Sequence, residues 1–176
     1  MKLSIASYSF HGLFKQDCID LFGYLESVRY RYNLETADIW SGMLPSLDQD
    51  YLEKVKTALD ERELTLVNLC VDGPHIWEDN ESVREENYKK ALQYIDVAEF
   101  LGAETMRLDT GVHRDDYSEQ EFDFIVKRYQ EYAQLAQDKG FRIGPENHWG
   151  AELKPGNIKK ICEAVNHPGF GVLLHF

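Results

Sequence analysis

The chain has 176 residues, 43% of them hydrophobic and 28% charged, which excludes a disordered segment and suits one domain with its own core. Nineteen basic residues against 31 acidic ones leave a formal net charge of −12. That surface repels phosphate backbones and anionic lipid, so neither nucleic acid nor membrane is an expected partner, whereas a cation or a small neutral substrate is held more easily.

No apolar run reaches the roughly 20 residues that span a bilayer. The opening residues run straight into Ser7-Tyr8-Ser9-Phe10-His11, without the apolar centre and cleavage site of a signal peptide. Cys18, Cys70 and Cys162 are odd in number, far apart and not in CxxC pairs. Buried, inert thiols in a reduced, cytoplasmic protein are therefore expected.

In chain order, Leu3 to Phe10 reads as a first strand. Asp17 is placed to cap a helix from Cys18 to about Arg31, with Ile19, Phe22, Leu25 and Val28 on one face. Leu34 to Trp40 is the second strand. Ser46 precedes a helix with Leu47, Tyr51, Val55, Ala58 and Leu59 inward. Leu64 to Val71 is a continuous β-prone run, as in a strand buried on both faces. A long helix follows from about Ser82 to Phe100, and Gly102 stops it. Ala103 to Leu108 is the fourth strand. Ser118-Glu119-Gln120-Glu121 opens a helix as a capping box, with Phe122, Ile125, Val126, Tyr129, Ala133 and Ala136 inward, and Gly140 ends it. Phe141 to Pro145, a helix from Asn157 to Val165, and Gly171 to Phe176 complete the series.

About six strands alternating with five helices predict an α/β fold with parallel strands and right-handed crossovers. A doubly wound sheet carries a glycine-rich first turn, and Ser9-Phe10-His11-Gly12-Leu13-Phe14 has none. A (β/α) barrel instead gathers polar residues at strand C-termini. His11 follows strand one, Trp40 ends strand two, and His75 follows strand three. Arg107 and Asp109 close strand four, with His113 beyond. Glu146, Asn147 and His148 follow strand five, and His175 ends strand six. Five of the six histidines thus fall on one expected rim. A complete barrel takes about 250 residues. The expectation is a single barrel domain, 1–176, that stops after its sixth strand and lacks the C-terminal units.

Strand five, Arg142-Ile143-Gly144-Pro145-Glu146-Asn147-His148-Trp149-Gly150, resembles the E-N-x segment of the xylose-isomerase-like TIM barrels. Ala37-Asp38-Ile39-Trp40, Gly73-Pro74-His75, Leu108-Asp109-Thr110-Gly111 and Gly169-Phe170-Gly171-Val172-Leu173-Leu174-His175 extend the resemblance along the chain. That superfamily includes sugar isomerases and epimerases, inosose dehydratases and the endonuclease IV group. Its members resembling this chain hold a divalent metal through Glu, Asp, His and Glu on strands five to eight. Glu146 matches the first ligand. His175 stands where the Asp usually sits, which removes a negative charge and softens the site. The remaining ligands would lie beyond the chain, so the metal site (Mn, Co, Mg or Zn) is expected to be incomplete and the chain alone inactive.

The resemblance implies proton transfer next to a carbonyl of a sugar or polyol, with Glu146 and His148 catalytic and Glu146 and His175 on the metal. His11, Trp40, His75, Arg107 and Trp149 are the candidate substrate-binding residues, with Arg107 also suited to a structural ion pair with Glu104 or Asp109. Tyr8 and Phe10 are expected in the core, and Trp77 over the barrel mouth. Alternatives are an inosose dehydratase-type lyase, a non-catalytic barrel fragment that associates through open strand edges as a homo-oligomer, and an abasic-site endonuclease, which the charge of −12 disfavours.

Overall fold

Four strands, β1 (Thr36–Trp40), β2 (Thr65–Val71), β3 (Thr105–Leu108) and β4 (Arg142–Gly144), form a parallel sheet in that order among the described residues. The computed structural model describes residues 2–175; Met1 and Phe176, the last residue of the expected sixth strand, lie outside them. The chain forms two compact units, residues 1–70 with 97–105, and residues 71–96 with 106–176.

In the first unit, the expected first strand is reduced to one parallel bridge, Ala6 to Asp38. Beyond it, Ser7–Phe10 winds into a 3-10 turn. Ser7 is buried and its Oγ accepts the Trp40 N–H at 2.8 Å, so a polar tie replaces a ladder. Tyr8 is exposed, contrary to its expected place in the core, because this turn carries it outward. After a single turn, α1 (His11–Phe14), the next helix starts three residues later than expected. Asp17 has a φ of +54° and ends a turn; Asp20 caps α2 (Leu21–Glu26), its Oδ1 accepting the Gly23 N–H at 2.8 Å. A π turn, Ser27–Arg31, continues α2. Cys18 lies in the turn before α2 and is exposed, which corrects the expectation of a buried thiol; Cys70 and Cys162 are half-buried.

Helix α3 (Gln49–Glu61) buries Leu52, Val55, Ala58 and Leu59, the 3.6-residue stripe of its sequence. Ser46 bonds Asp48, accepting its N–H at 2.9 Å, and shapes the turn before the helix rather than capping it. β1 and β2 pair from Thr36 with Thr65 to Trp40 with Cys70, with a bulge between Ala37 and Asp38.

The long helix α4 (Glu81–Leu101) buries Ala91, Tyr94, Ile95, Val97, Ala98 and Leu101 and ends at Gly102, whose φ is +73°. In the second unit, the expected capping box is present on α5 (Glu119–Asp138): Ser118 Oγ accepts the Glu121 N–H, and Glu121 accepts the Ser118 N–H. Ile125, Tyr129, Tyr132, Ala133 and Ala136 form its buried face. That face packs on β4 and on α6 (Pro155–Val165). Tyr129 reaches the end of β3, its hydroxyl donating to the Leu108 carbonyl at 2.6 Å.

The expected sixth strand is present as two parallel bridges, Phe170 with Ile143 and Leu173 with Glu146. Two glycines let the polar end of this unit close. Gly111 has a φ of +88°, and a Cβ there would lie 2.4 Å from the Trp77 carbonyl. Gly150 has a φ of +59°, and its Cβ would lie 2.1 Å from the Val112 carbonyl. No helix is long and apolar enough to cross a membrane among the described residues.

Candidate metal centre

The second unit brings Arg107, Glu146, His148, His175, Trp149 and His75 onto linked contacts. β3 carries Arg107 in its buried run, and Asp109 follows directly. Asp109 is 1% exposed and serves three donors. Its Oδ1 accepts the Glu146 backbone N–H at 3.1 Å, and its Oδ2 accepts from Arg107 and from Trp149 Nε1 at 3.4 Å. Burial raises its pKa above the usual carboxylate value, against the lowering pull of Arg107.

Arg107 is also buried and lies among carboxylates. Nη1 donates to Asp72 Oδ1 at 2.8 Å, and Nε lies 3.3 Å from Glu146 Oε2. The structural ion pair expected with Asp109 is there; Glu104 pairs instead with Lys2. Arg107 thereby places positive charge beside one oxygen of Glu146. The other, Oε1, lies 3.0 Å from His175 Nδ1 and 3.9 Å from His148 Nδ1. The two imidazoles stack at 4.9 Å between centroids, with their Nδ1 atoms 2.9 Å apart.

Asn147 sets this geometry, a role for which the sequence offered only its place inside the motif. Its Nδ2 donates to the His175 carbonyl at 2.9 Å, and its Oδ1 accepts the His175 N–H at 2.6 Å. With the Leu173 N–H donated to the Pro145 carbonyl at 2.9 Å, the segment bearing His175 is held beside the segment bearing Glu146.

Trp149 builds a second wall. Its ring lies 4.3 Å from His113 and 5.1 Å from His75, centroid to centroid. His75 Nδ1 is 3.3 Å from Glu78 Oε1. Trp77 is buried under the Arg84 guanidinium, 4.6 Å from the ring centroid. His11 and Trp40 belong to the first unit, where Tyr8 stacks on His11 at 4.6 Å and meets Trp40 edge-on at 5.0 Å.

Sequence reasoning missed Glu152. It is 1% exposed and its Oε1 accepts the Thr110 N–H at 2.9 Å. Burial and, next, the negative charge of Asp109 push its pKa up to about 8. A Glu on an irregular turn reads as solvated; only the fold shows that this turn is covered.

Glu146, His148 and His175 present three ligand atoms within 4.8 Å of one another. One carboxylate and two imidazoles are a donor set for a divalent transition metal, so the residues present fit the group that the resemblance implied.

A parallel sheet with crossover helices and a carboxylate–imidazole cluster beyond the strand ends defines a (β/α)-barrel-type chain. Residues 28–176 match the xylose isomerase-like TIM barrel family, and the chain belongs to it. Among solved structures it is similar to the probable 3-DHS dehydratase AsbF, involved in petrobactin synthesis, from Bacillus anthracis, with 18% identity, a TM-score of 0.76, and coverage of 99% of this chain and 62% of that one. It is similar to the IOLI protein with a binding zinc atom, with 14% identity, a TM-score of 0.78, and coverage of 98% and 62%. It is also similar to D-psicose 3-epimerase with D-tagatose from Clostridium cellulolyticum H10, with 14% identity, a TM-score of 0.78, and coverage of 99% and 63%. These likenesses show the fold, and the chain spans less than two thirds of each structure's length. Among curated proteins, none matches the chain by sequence.

Proposed function

We propose that this chain is part of a metal-dependent sugar or polyol isomerase or epimerase, working by proton transfer at a carbon next to a carbonyl. Glu146 carries the reading: one carboxylate oxygen is tied to Arg107 and the other faces two imidazoles. Glu146 and His175 would hold the ion. A bound divalent ion polarises substrate oxygens and lowers the energy of an enediolate. Glu146 takes the proton from the carbon next to the carbonyl. His148, half exposed beside it, donates a hydrogen bond to the substrate oxygen on which charge develops. Arg107 contributes to substrate binding through Glu146, which it keeps beside a positive charge.

Trp149, with His75 tilted against it at 59°, offers aromatic surface for the apolar face of a sugar ring. Residues 1–176 are one barrel domain that lacks its C-terminal units, acting in the cytoplasm. Exposed Leu153, Leu173 and Leu174 support association as a homo-oligomer. The likeness to an epimerase with a sugar and to a zinc-holding structure supports the substrate class and the metal, and the charge of −12 supports neither nucleic acid nor membrane as partner.

Proton abstraction needs only one base, so it is testable as a half-reaction. Ketoses and inososes incubated with the metal-loaded chain in D2O should exchange the proton beside the carbonyl, read by NMR. Glu146→Gln should slow exchange by about 10²- to 10⁴-fold, the usual weight of a general base. Exchange unaffected by that substitution or by chelation contradicts the reading.

A further inference from the structure

The two imidazoles bear on which ion the site takes. His148 Nδ1 and His175 Nδ1 are 2.9 Å apart, and Glu146 Oε1 is 3.0 Å from the second of them. One proton can join the two rings, but then His175 Nδ1 cannot also donate to the carboxylate. An ion at about 2.0–2.2 Å from each atom uses all three lone pairs at once. The rings must separate by a few tenths of an ångström for that, roughly, since tetrahedral ligands at such bond lengths lie somewhat farther apart. Their side chains are 47% and 50% exposed, which leaves each ring solvent on one side into which to move.

Resting on the metal reading of Glu146, we propose that His148 is a protein ligand to the ion, forming with Glu146 and His175 a one-carboxylate, two-imidazole donor set that selects zinc-type ions over magnesium. The donor chemistry points the same way twice. Magnesium takes oxygen ligands in octahedral geometry and keeps its waters, and two imidazoles serve it poorly. Imidazole suits zinc, cobalt, nickel and copper. These three leave at least one position on the ion for a further ligand or a substrate oxygen. All three residues belong to the second compact unit.

The test uses the untagged chain, stripped with chelator and dialysed against zinc or magnesium in a non-coordinating buffer, with zinc-edge X-ray absorption to count imidazoles. One zinc per chain with two imidazoles is expected, bound at least about 100-fold tighter than magnesium. His148→Ala, shown folded by circular dichroism, should bring the imidazole count to one. It should weaken zinc by more than the roughly 10- to 100-fold that removal of an outer hydrogen-bond partner costs. Two imidazoles and unchanged affinity in His148→Ala would overturn the assignment, as would magnesium binding equal to zinc. Glu146→Gln separates the two claims. If it loses the metal while His148→Ala keeps it, the ligand assignment fails and the enzymatic reading stands. If it keeps the metal while His148→Ala loses it, the metal reading of Glu146 fails and only the two-imidazole part of the assignment stands.

Discussion

The two compact units both bury polar groups, and they do so by different means. In the first, hydrogen bonds, most of them between uncharged groups, tie strand to strand. The Tyr24 hydroxyl donates to the Ile5 carbonyl at 2.7 Å and receives the Asp38 N–H at 3.0 Å. Asn68 donates to Asp38 Oδ1 at 3.2 Å, and Thr105 Oγ1 donates to the Val67 carbonyl at 2.8 Å. In the second unit the partners are charged: Arg107 among Asp72, Asp109 and Glu146, with Glu152 nearby through Thr110. Hydrogen bonds between neutral groups use donors and acceptors in matched pairs and leave little over for a ligand. Three carboxylates around one guanidinium leave lone pairs over, and Glu146 Oε1 turns them towards the two imidazoles. The first arrangement stabilises a fold; the second also creates capacity to bind a cation.

The comparison breaks most visibly at Asp109. Asp109→Ala leaves the Glu146 N–H and the Trp149 indole without their acceptor and takes one of three carboxylates from Arg107, and should cost about 3–5 kcal/mol in denaturant unfolding, the cost of breaking a buried pair. Asp109→Asn, which keeps the shape, should cost less. Tyr24→Phe in the first unit should cost only about 1–2 kcal/mol and leave zinc affinity unchanged, since its partners are all neutral backbone groups.

Glu152 sharpens the contrast through pH. Its pKa in the fold is about 8, above the ordinary 4.5, so the folded chain binds the extra proton between those values. Stability from this group is fully present below pH 4.5 and is lost as pH rises towards 8, by at most about 1.4 kcal/mol per pH unit. Asp109, also raised, acts with the same sign. Glu152→Gln should flatten the decline in melting temperature across that window and raise stability above it. An unchanged slope would show that Glu152 is ionised throughout. Smallest of all, Ser118→Ala should cost about 1 kcal/mol by removing the α5 cap, with no effect on metal binding.

Much of this was legible in the order of residues. Helical stripes such as Ile125, Tyr129, Ala133 and Ala136 report burial because a helix repeats every 3.6 residues, and the Ser118 box marks its own helix start. The polar residues after the strands identified Glu146, His148 and His175 because parallel strands deliver their C-termini to one side. The ends of the fold were less legible. Leu3 to Phe10 has strand-like residues, yet Ser7 satisfies Trp40 through its hydroxyl and the backbone turns away. Asp17 and Asp20 are both good caps by composition, and the left-handed turn at Asp17 decides between them. The bonds from Asn147 to His175 and the burial of Glu152 depend on segments 28 and 42 residues apart, and no local pattern carries such information.

The measurement closest to the centre of the account is anomalous X-ray diffraction from crystals soaked in zinc at limiting concentration. A single peak about 2.0–2.2 Å from Glu146 Oε1 and from the Nδ1 atoms of His148 and His175 is the predicted result. A peak elsewhere, or none while the two imidazoles remain bonded to each other, would contradict it.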